Sequence, residues 1–435
     1  MRLGGDPARN RLYRDPLITY CFGDARCAIR NGFSKMSSRA QRRVAWFSFF
    51  PVEWLDGIPE EVARLPKEHP ATWQRSLLDQ FETQDEYEIH VIVLKKHFAR
   101  NLDFIRRNVH FHLVKTVGGL RAPSMFWIDT MLIRRQLRLI KPDLLHAWGT
   151  ERGAALVASR IDCPAVVTVQ GLMRWMNQLI PPSRYQRLLA WLEHRSLQRS
   201  RVVTAESTFS ANYLRTEYPH LDVHHVDLAP DPVFHGIRRN PITDPPQLLF
   251  TGELGFAKGG DLLLLALDEL MRRIDFRLVV IGSMRDTFRQ EIARRVSPEI
   301  WGRIRFRTHL PPLEVAHELE HTCLFICPTR ADTGPLALKE AVVSGVPVVA
   351  SAIGGTPDYV QNGENGFLCR SGDSADLLRS IEAALAHPTF SQGLVHRDSL
   401  ARKRAALSPA AMSRHFLKVY ESTTGGSNRC RSGSA

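Results

Sequence analysis

Asp332 and Glu340 stand eight positions apart in "ADTGPLALKE", with Gly334 and Pro335 between them. That spacing has two readings. Either Asp332 caps a helix and Glu340 is a solvated charge on its face, or the two acids touch one substrate. Gly-Pro starts a helix rather than continuing one, so free backbone N–H groups stand beside Asp332 and Leu336. A second stretch, "FTGELGFAKGGD" (Phe250 to Asp261), carries Gly252, Glu253, Lys258 and Gly259. A glycine-rich loop between a strand and a helix lets N–H groups approach a phosphate, and Lys258 adds a positive charge. The loop is neither GxGxxG nor a Walker motif, so alone it also reads as a tight turn with a surface lysine.

Both stretches need a sheet edge to hold them. "CLFICP" is a short apolar run that delivers the chain to Asp332, and "LLFTG" delivers it to the glycine-rich loop. Around them "FRLVVIG", "IRFRTHL" and "VPVVAS" read as further strands, alternating with helical segments such as "GDLLLLALDELMRR" and "GPLALKEAVVSG". An earlier series does the same: "VAWFSFF", "YEIHVIVL", "FHLVKTV" and "PAVVTVQG" are strands, and "FWIDTMLIRRQLRLI" is a helix. Strand–helix alternation predicts parallel sheets with ligands at the carboxyl ends of the strands. The fold class expected is α/β, with two Rossmann-like doubly wound domains facing across a cleft. The boundaries read as a basic extension over 1–40, a first domain over 41–237 and a Pro-rich linker over 238–247. A second domain follows over 248–405, then a helix over 406–424 that can cross back to the first domain, and a tail over 425–435.

With 435 residues, 44% hydrophobic and 24% charged, the chain has the profile of a globular protein of two domains. No stretch holds eighteen consecutive apolar residues, and the polar, basic N-terminus does not read as a secretory signal. A cytoplasmic protein is expected. The net charge of +13 favours anionic partners, and residues 1–43 supply +7 of it, with ten Lys or Arg against three Asp. That segment reads as a basic arm or as sequence ahead of a start at Met36. No aromatic platforms accompany it, so nucleic acid is not expected as a partner. "RYQRLLAWLEHRSLQRSR" puts Tyr185, Leu188, Leu189 and Leu192 on one face among basic residues; it is either an ordinary packed helix or a peripheral contact with an anionic membrane at its inner face. Neither the seven cysteines nor His69, His146 and His309 have metal-ligand spacing, so no metal and no other cofactor is expected.

The stretch from Leu248 to Pro388 resembles the donor-binding half of the family 4 retaining glycosyltransferases, which have the GT-B fold. "FTGEL…KGGDLLLLAL", "LVVIGS", "ICPTRADTGPLALKEAVVSGVPVVASAIGG" and "VQNGENGFLC" carry the resemblance. Cys327 to Gly355 matches the family's E-x7-E element, its following strand and a Gly-Gly turn. "KPDLLHAWGTERGAALVASRIDCPAVVTVQGL" and "SRVVTAESTFSANYL" match the acceptor-side domain more loosely. The resemblance implies transfer of a sugar from a nucleotide-diphospho-sugar to a hydroxyl, with retention and without a metal. The acceptor is a saccharide, a lipid-linked saccharide or a small molecule. By position, Glu340 would hold the ribose hydroxyls and Asp332 those of the transferred sugar. Gly334, Pro335 and Leu336 would meet sugar and phosphate, and Lys258 would neutralise the diphosphate. His309 and Leu310 would border the base, Gly252, Gly259 and Ser283 would line the donor site, and Gly57, Gln170 and Gly171 the acceptor side. Such chemistry explains the residue types: a lysine and a helix N-terminus meet charge developing on the diphosphate, and carboxylates position the sugar.

Four departures stand out. Asp332 replaces the family's first Glu and is one methylene shorter. Glu253 stands where many members have an arginine for the diphosphate. Gln170 stands where many have a histidine. The loop after the first strand, "PVEWLDGIPEE", has only Gly57. These keep two alternatives in view: a nucleotide-sugar epimerase on the same fold, and a catalytically degenerate relative that binds a nucleotide without turnover.

Overall fold

The computed structural model describes residues 41–68, 71–121 and 123–425; the basic extension, His69 with Pro70, and the tail beyond Gly425 lie outside these. Among the described residues two sheets form. The first holds β1 (Arg42–Ser48), β2 (Tyr87–Lys95), β3 (Leu102–Arg106), β4 (Val109–Lys115), β5 (Leu144–Trp148), β6 (Ala165–Val169), β7 (Val202–Ala205) and β8 (Asp222–His225). Their order is β3-β4-β2-β1-β5-β6-β7-β8, parallel throughout except for the β3–β4 pair. The second holds β9 (Gln247–Thr251), β10 (Arg277–Ile281), β11 (Ile304–Arg307), β12 (Leu324–Cys327), β13 (Val348–Ser351) and β14 (Gly366–Cys369). These run parallel in the order β11-β10-β9-β12-β13-β14.

The strands read as near-continuous apolar runs because both faces of each sheet are covered. Val44 and Trp46 point into one core of the first sheet, Ala45 and Phe47 into the other. The second sheet is likewise flanked by two cores, one around Leu248 and Phe250 and one around Leu249 and Val348. The edge strand β3 was not expected from the sequence. Its residues alternate between half-buried and exposed, so no apolar run marks it.

Strand order reverses between β1 and β5 in one sheet and between β9 and β12 in the other. At such a switch point, successive loops leave the sheet on opposite sides and open a crevice beyond the strand ends. The helices that cover the sheet faces include α1 (Thr72–Phe81), α2 (Trp127–Ile140), α3 (Arg184–Leu197), α4 (Gly260–Leu270), α5 (Leu336–Ser344) and α6 (Pro409–Thr424).

The two units are tied in three ways. The Pro-rich segment is fastened to the second: Asn240 and Ile242 donate to the carbonyls of Glu320 and His321, and Arg239 donates to those of Leu319, Glu320, Thr322 and Gly393. Helix α6, capped by the Ser408 hydroxyl on the Ala411 N–H at 3.2 Å, buries Met412, Phe416, Val419 and Tyr420 in a core of the first sheet. There Tyr420 accepts from Trp46 Nε1 at 3.0 Å and lies 2.6 Å from His146 Nδ1. Thirdly, Gly354 and Gly355 turn directly against the first domain. A Cβ on Gly354 would fall 2.0 Å from the Asp332 carbonyl and 2.8 Å from Trp175; one on Gly355 would fall 2.7 Å from Ser207. Only glycine fits so close an approach.

Candidate active site

The loops after β9 and β12 meet beneath the first domain. The first of them leaves Thr251, turns at Gly252 and reaches Gly259, the residue before α4. Gly259 has φ +72° and lies so close to Pro328 that a Cβ would sit 1.9 Å from its carbonyl oxygen. This contact locks the two loops together and brings Lys258 beside Asp332, with Nζ 2.6 Å from Oδ2. The other oxygen, Oδ1, accepts from the Gly334 N–H at 3.2 Å. Asp332 therefore ties the lysine to the start of α5, and its charge, more than any other neighbour, holds the Lys258 ammonium above its ordinary pKa.

A cavity of about 260 Å³ opens there. Lys258, Asp332, Gly334, Pro335 and Leu336 line it from the second domain, and Gln170, Glu206 and Trp73 from the first. A second cavity of about 520 Å³ continues into the first domain, beyond the ends of β1 and β5, where Phe49, Glu53, Trp148, Glu151 and Arg152 line it. Gln170 and Trp73 border both. Three buried polar atoms at this junction lack a hydrogen-bond partner within the described residues: Gln170 Nε2, Trp148 Nε1 and Glu151 Oε2. Buried donors and acceptors left open are what a hydroxylated ligand would satisfy.

The remaining residues singled out in the sequence lie around this cavity rather than on it. Glu340 sits further along α5, half-buried, its carboxyl pushed up to about 8 by burial and by repulsion from Asp231. Glu253 is exposed and paired with Arg285, Oε1 to Nε 2.8 Å, so the carboxylate at the usual arginine position carries its own neutralising cation. The Ser283 carbonyl accepts from the Leu254 N–H at 2.8 Å, which fixes the loop after β9. His309 is exposed with φ +55°, and Leu310 beside it packs on the core around Leu249. Gly57 (φ +66°) and Gly171 line neither cavity. Helix α3 divides its apolar residues: Leu192 and Leu197 are buried, while Tyr185, Leu188 and Trp191 are exposed.

Glu206 had no role in the sequence reading, yet it lies at the centre. It follows β7 directly, is buried, and accepts from the Thr333 hydroxyl at 2.8 Å across the domain junction. Burial pushes its carboxyl up to about 8, against the opposing pull of Lys339 and of that hydrogen bond. Lys339 is fully buried on α5, 3.4 Å from the carbonyls of Glu206 and Leu228 and 3.6 Å from Asp227. The Tyr359 hydroxyl is 2.8 Å from both the Glu206 carbonyl and Asp227. An acid ending a strand just before a Ser cap is the only sequence signal for Glu206, and it is a faint one.

Two family models cover most of this architecture. Residues 75–233 match the model described as Glycosyltransferase Family 4, and residues 237–401 match Glycosyl transferases group 1. The chain belongs to the family 4 glycosyltransferases. It is a glycosyltransferase with the GT-B fold, as the resemblance in its sequence implied. A glycogen synthase of Mycobacterium tuberculosis (strain ATCC 25618 / H37Rv) is 26% identical over 306 residues, covering 64% of this chain and 71% of its own. Among solved structures, sucrose-phosphate synthase from Thermosynechococcus elongatus superposes with a TM-score of 0.71 at 16% identity, over 89% of this chain and all of that one. Anabaena HepE in complex with UDP and glucose gives 0.62 at 14% identity, over 88% and 100%. At these identities the structural likeness establishes the fold. In this glycosyltransferase no helix among the described residues is long and apolar enough to cross a membrane.

Proposed function

We propose that the protein transfers a sugar from a nucleotide-diphospho-sugar to a hydroxyl acceptor with retention of configuration and without a metal ion. The observation that carries this reading is the meeting of the two cavities at Gln170 and Trp73. A donor in the first cavity would have its diphosphate against Lys258 and the start of α5, and its sugar against Asp332. An acceptor in the second would reach the same point from the first domain, with Trp148, Glu151 and Gln170 offering its hydroxyls unmatched polar atoms. In the reaction the sugar–phosphate bond breaks, the sugar–acceptor bond forms on the same face, and the acceptor proton passes to the departing phosphate oxygen. Lys258 and the backbone N–H groups of α5 stabilise the charge on that oxygen, so no covalent protein nucleophile is required. HepE is described with UDP and glucose, which makes a uridine donor the first to try.

The Glu253–Arg285 pair removes one obstacle to a bound diphosphate, which would otherwise confront an unpaired carboxylate. The continuous second cavity favours it over epimerisation, which needs no acceptor. Calorimetry with UDP, GDP and ADP, followed by turnover assays with the sugar forms of the nucleotide that binds, tests the proposal. Binding without sugar release or transfer on any donor–acceptor combination overturns it, and acceptor-free interconversion of donor epimers replaces it.

A further inference from the structure

A second group of chemically competent side chains lies on the first sheet, away from the cleft. Glu88 and His90 are two apart on β2, and His110 and His112 are two apart on β4, a spacing that puts all four on one face. Parallel register sets His90 beside His110, and antiparallel register sets Asp103 of β3 beside His112. A chain of short contacts results. Asp103 Oδ1 is 2.8 Å from His112 Nδ1, His112 Nε2 is 3.0 Å from His90 Nδ1, and His90 Nε2 is 3.0 Å from Glu88 Oε1.

Three such contacts need three hydrogens, and two neutral imidazoles bring two. Counting inward from Asp103, His112 Nδ1–H donates to the carboxylate and His90 Nδ1–H donates to His112 Nε2. His90 Nε2 is then a bare lone pair facing a carboxylate oxygen. A positive centre belongs between them, either a proton or a metal ion. His110 decides between the two. Its Nε2 comes within 3.6 Å of the same Glu88 Oε1, and the three ligand atoms all lie within 4.8 Å of one another. A proton bridges two atoms, whereas three converging ones enclose an ion. Ligands about 2.0–2.1 Å from a tetrahedral metal stand about 3.3 Å apart, which the 3.0 and 3.6 Å separations bracket.

We propose that Glu88, His90 and His110 form a site for a divalent transition metal of the zinc type, with the fourth position open to solvent. Two imidazoles and a carboxylate are the donor set such an ion takes. The surroundings fit. Arg43 Nε holds the other Glu88 oxygen, Oε2, at 3.0 Å and leaves Oε1 for the ion. The Asp103–His112 pair fixes the His90 tautomer through the ring nitrogen that does not ligate, the usual arrangement behind a metal-bound histidine. Glu88 and His110 are each partly exposed, which gives the ion a way in. The ion would tie β2 to β4, with Arg43 of β1 bracing Glu88, and would stand apart from sugar transfer.

The test uses the full chain, stripped with a chelator and then titrated with Zn²⁺ by calorimetry and with Co²⁺ by visible absorption. One equivalent should bind at this site, with the intense absorption of tetrahedral Co²⁺, and Zn²⁺ should raise the melting temperature. His110→Gln, at a partly exposed position that tolerates substitution, should weaken affinity at least tenfold. His112→Gln should weaken it by about tenfold through loss of the orienting partner, with circular dichroism confirming the fold of each. If the wild-type chain binds no more metal than the His90→Gln/His110→Gln variant, the proposal fails and the cluster is a protonated histidine chain.

Discussion

The raised carboxyl of Glu206 makes a quantitative prediction about the domain junction. Its ordinary value of 4.5 is pushed to about 8 by burial. A carboxyl shifted upward keeps its proton in the folded state where the unfolded chain has released it. Stability from this group is therefore fully present below 4.5, falls as pH rises towards 8, and stays flat above. The slope is about 1.4 kcal/mol per pH unit. Glu206→Gln keeps the size and the oxygen that accepts from Thr333, but cannot ionise. Between about pH 6.5 and pH 8 the variant should gain about 2 kcal/mol on the wild type. The window avoids the buried histidines: burial pushes His146 down to about 3, so its effect on the pH dependence lies below the ordinary histidine value of 6.5. Glu193, raised to about 7, and Glu340, raised to about 8, also tilt the curve. They are present in both proteins and cancel in the difference. The assay is urea unfolding of both chains at four pH values across the window. Parallel curves would show that Glu206 is ionised in the folded protein, paired with Lys339, and the account of the junction would be wrong.

Two further outcomes can be measured. If the proposed donor reaches along α5 beyond the cavity, Glu340→Gln should lower turnover by at least about tenfold; unchanged turnover would show that Glu340 takes no part in holding the donor. Tyr420→Phe leaves Trp46 Nε1 without its acceptor and His146 Nδ1 without its partner, both in the core. It should cost about 2–4 kcal/mol in denaturant unfolding, and a loss below half a kcal/mol would mean that α6 is held by packing alone.

Much of the architecture was legible in the sequence for a physical reason. A strand covered on both faces must be apolar throughout, so "VAWFSFF" and "CLFICP" announce themselves, while β3, alternately half-buried and exposed on an open edge, does not. The helix start at Gly334 and Pro335 was equally plain. Distances were not legible. Lys258 and Asp332 are 74 positions apart and touch only because β9 and β12 are neighbours, an order no local pattern encodes. Glu340 was legible as a position on α5, but its surroundings were not: it lies further along the helix than the residues lining the cavity, where Asp231 repels its charge. Glu206 was missed because its environment is assembled from both domains, through Thr333, Lys339 and Tyr359.

The shorter first acid can be understood from the pair it forms. Lys258 and Asp332 neutralise each other at 2.6 Å, and the Gly334 N–H holds the second carboxylate oxygen. Neither charge is left bare in a part-buried site, where an isolated one would be costly. On the proposed reading, a nucleotide-sugar donor would offer each partner a replacement: phosphate oxygens for the ammonium and sugar hydroxyls for the carboxylate. Its entry would then exchange one ion pair for two sets of charged hydrogen bonds instead of desolvating two free ions. An aspartate suits this arrangement because its short stem lets one carboxylate span the lysine and the start of α5 at once. The lysine is thereby held beside the backbone N–H groups that, on the proposed reading, would share the diphosphate with it.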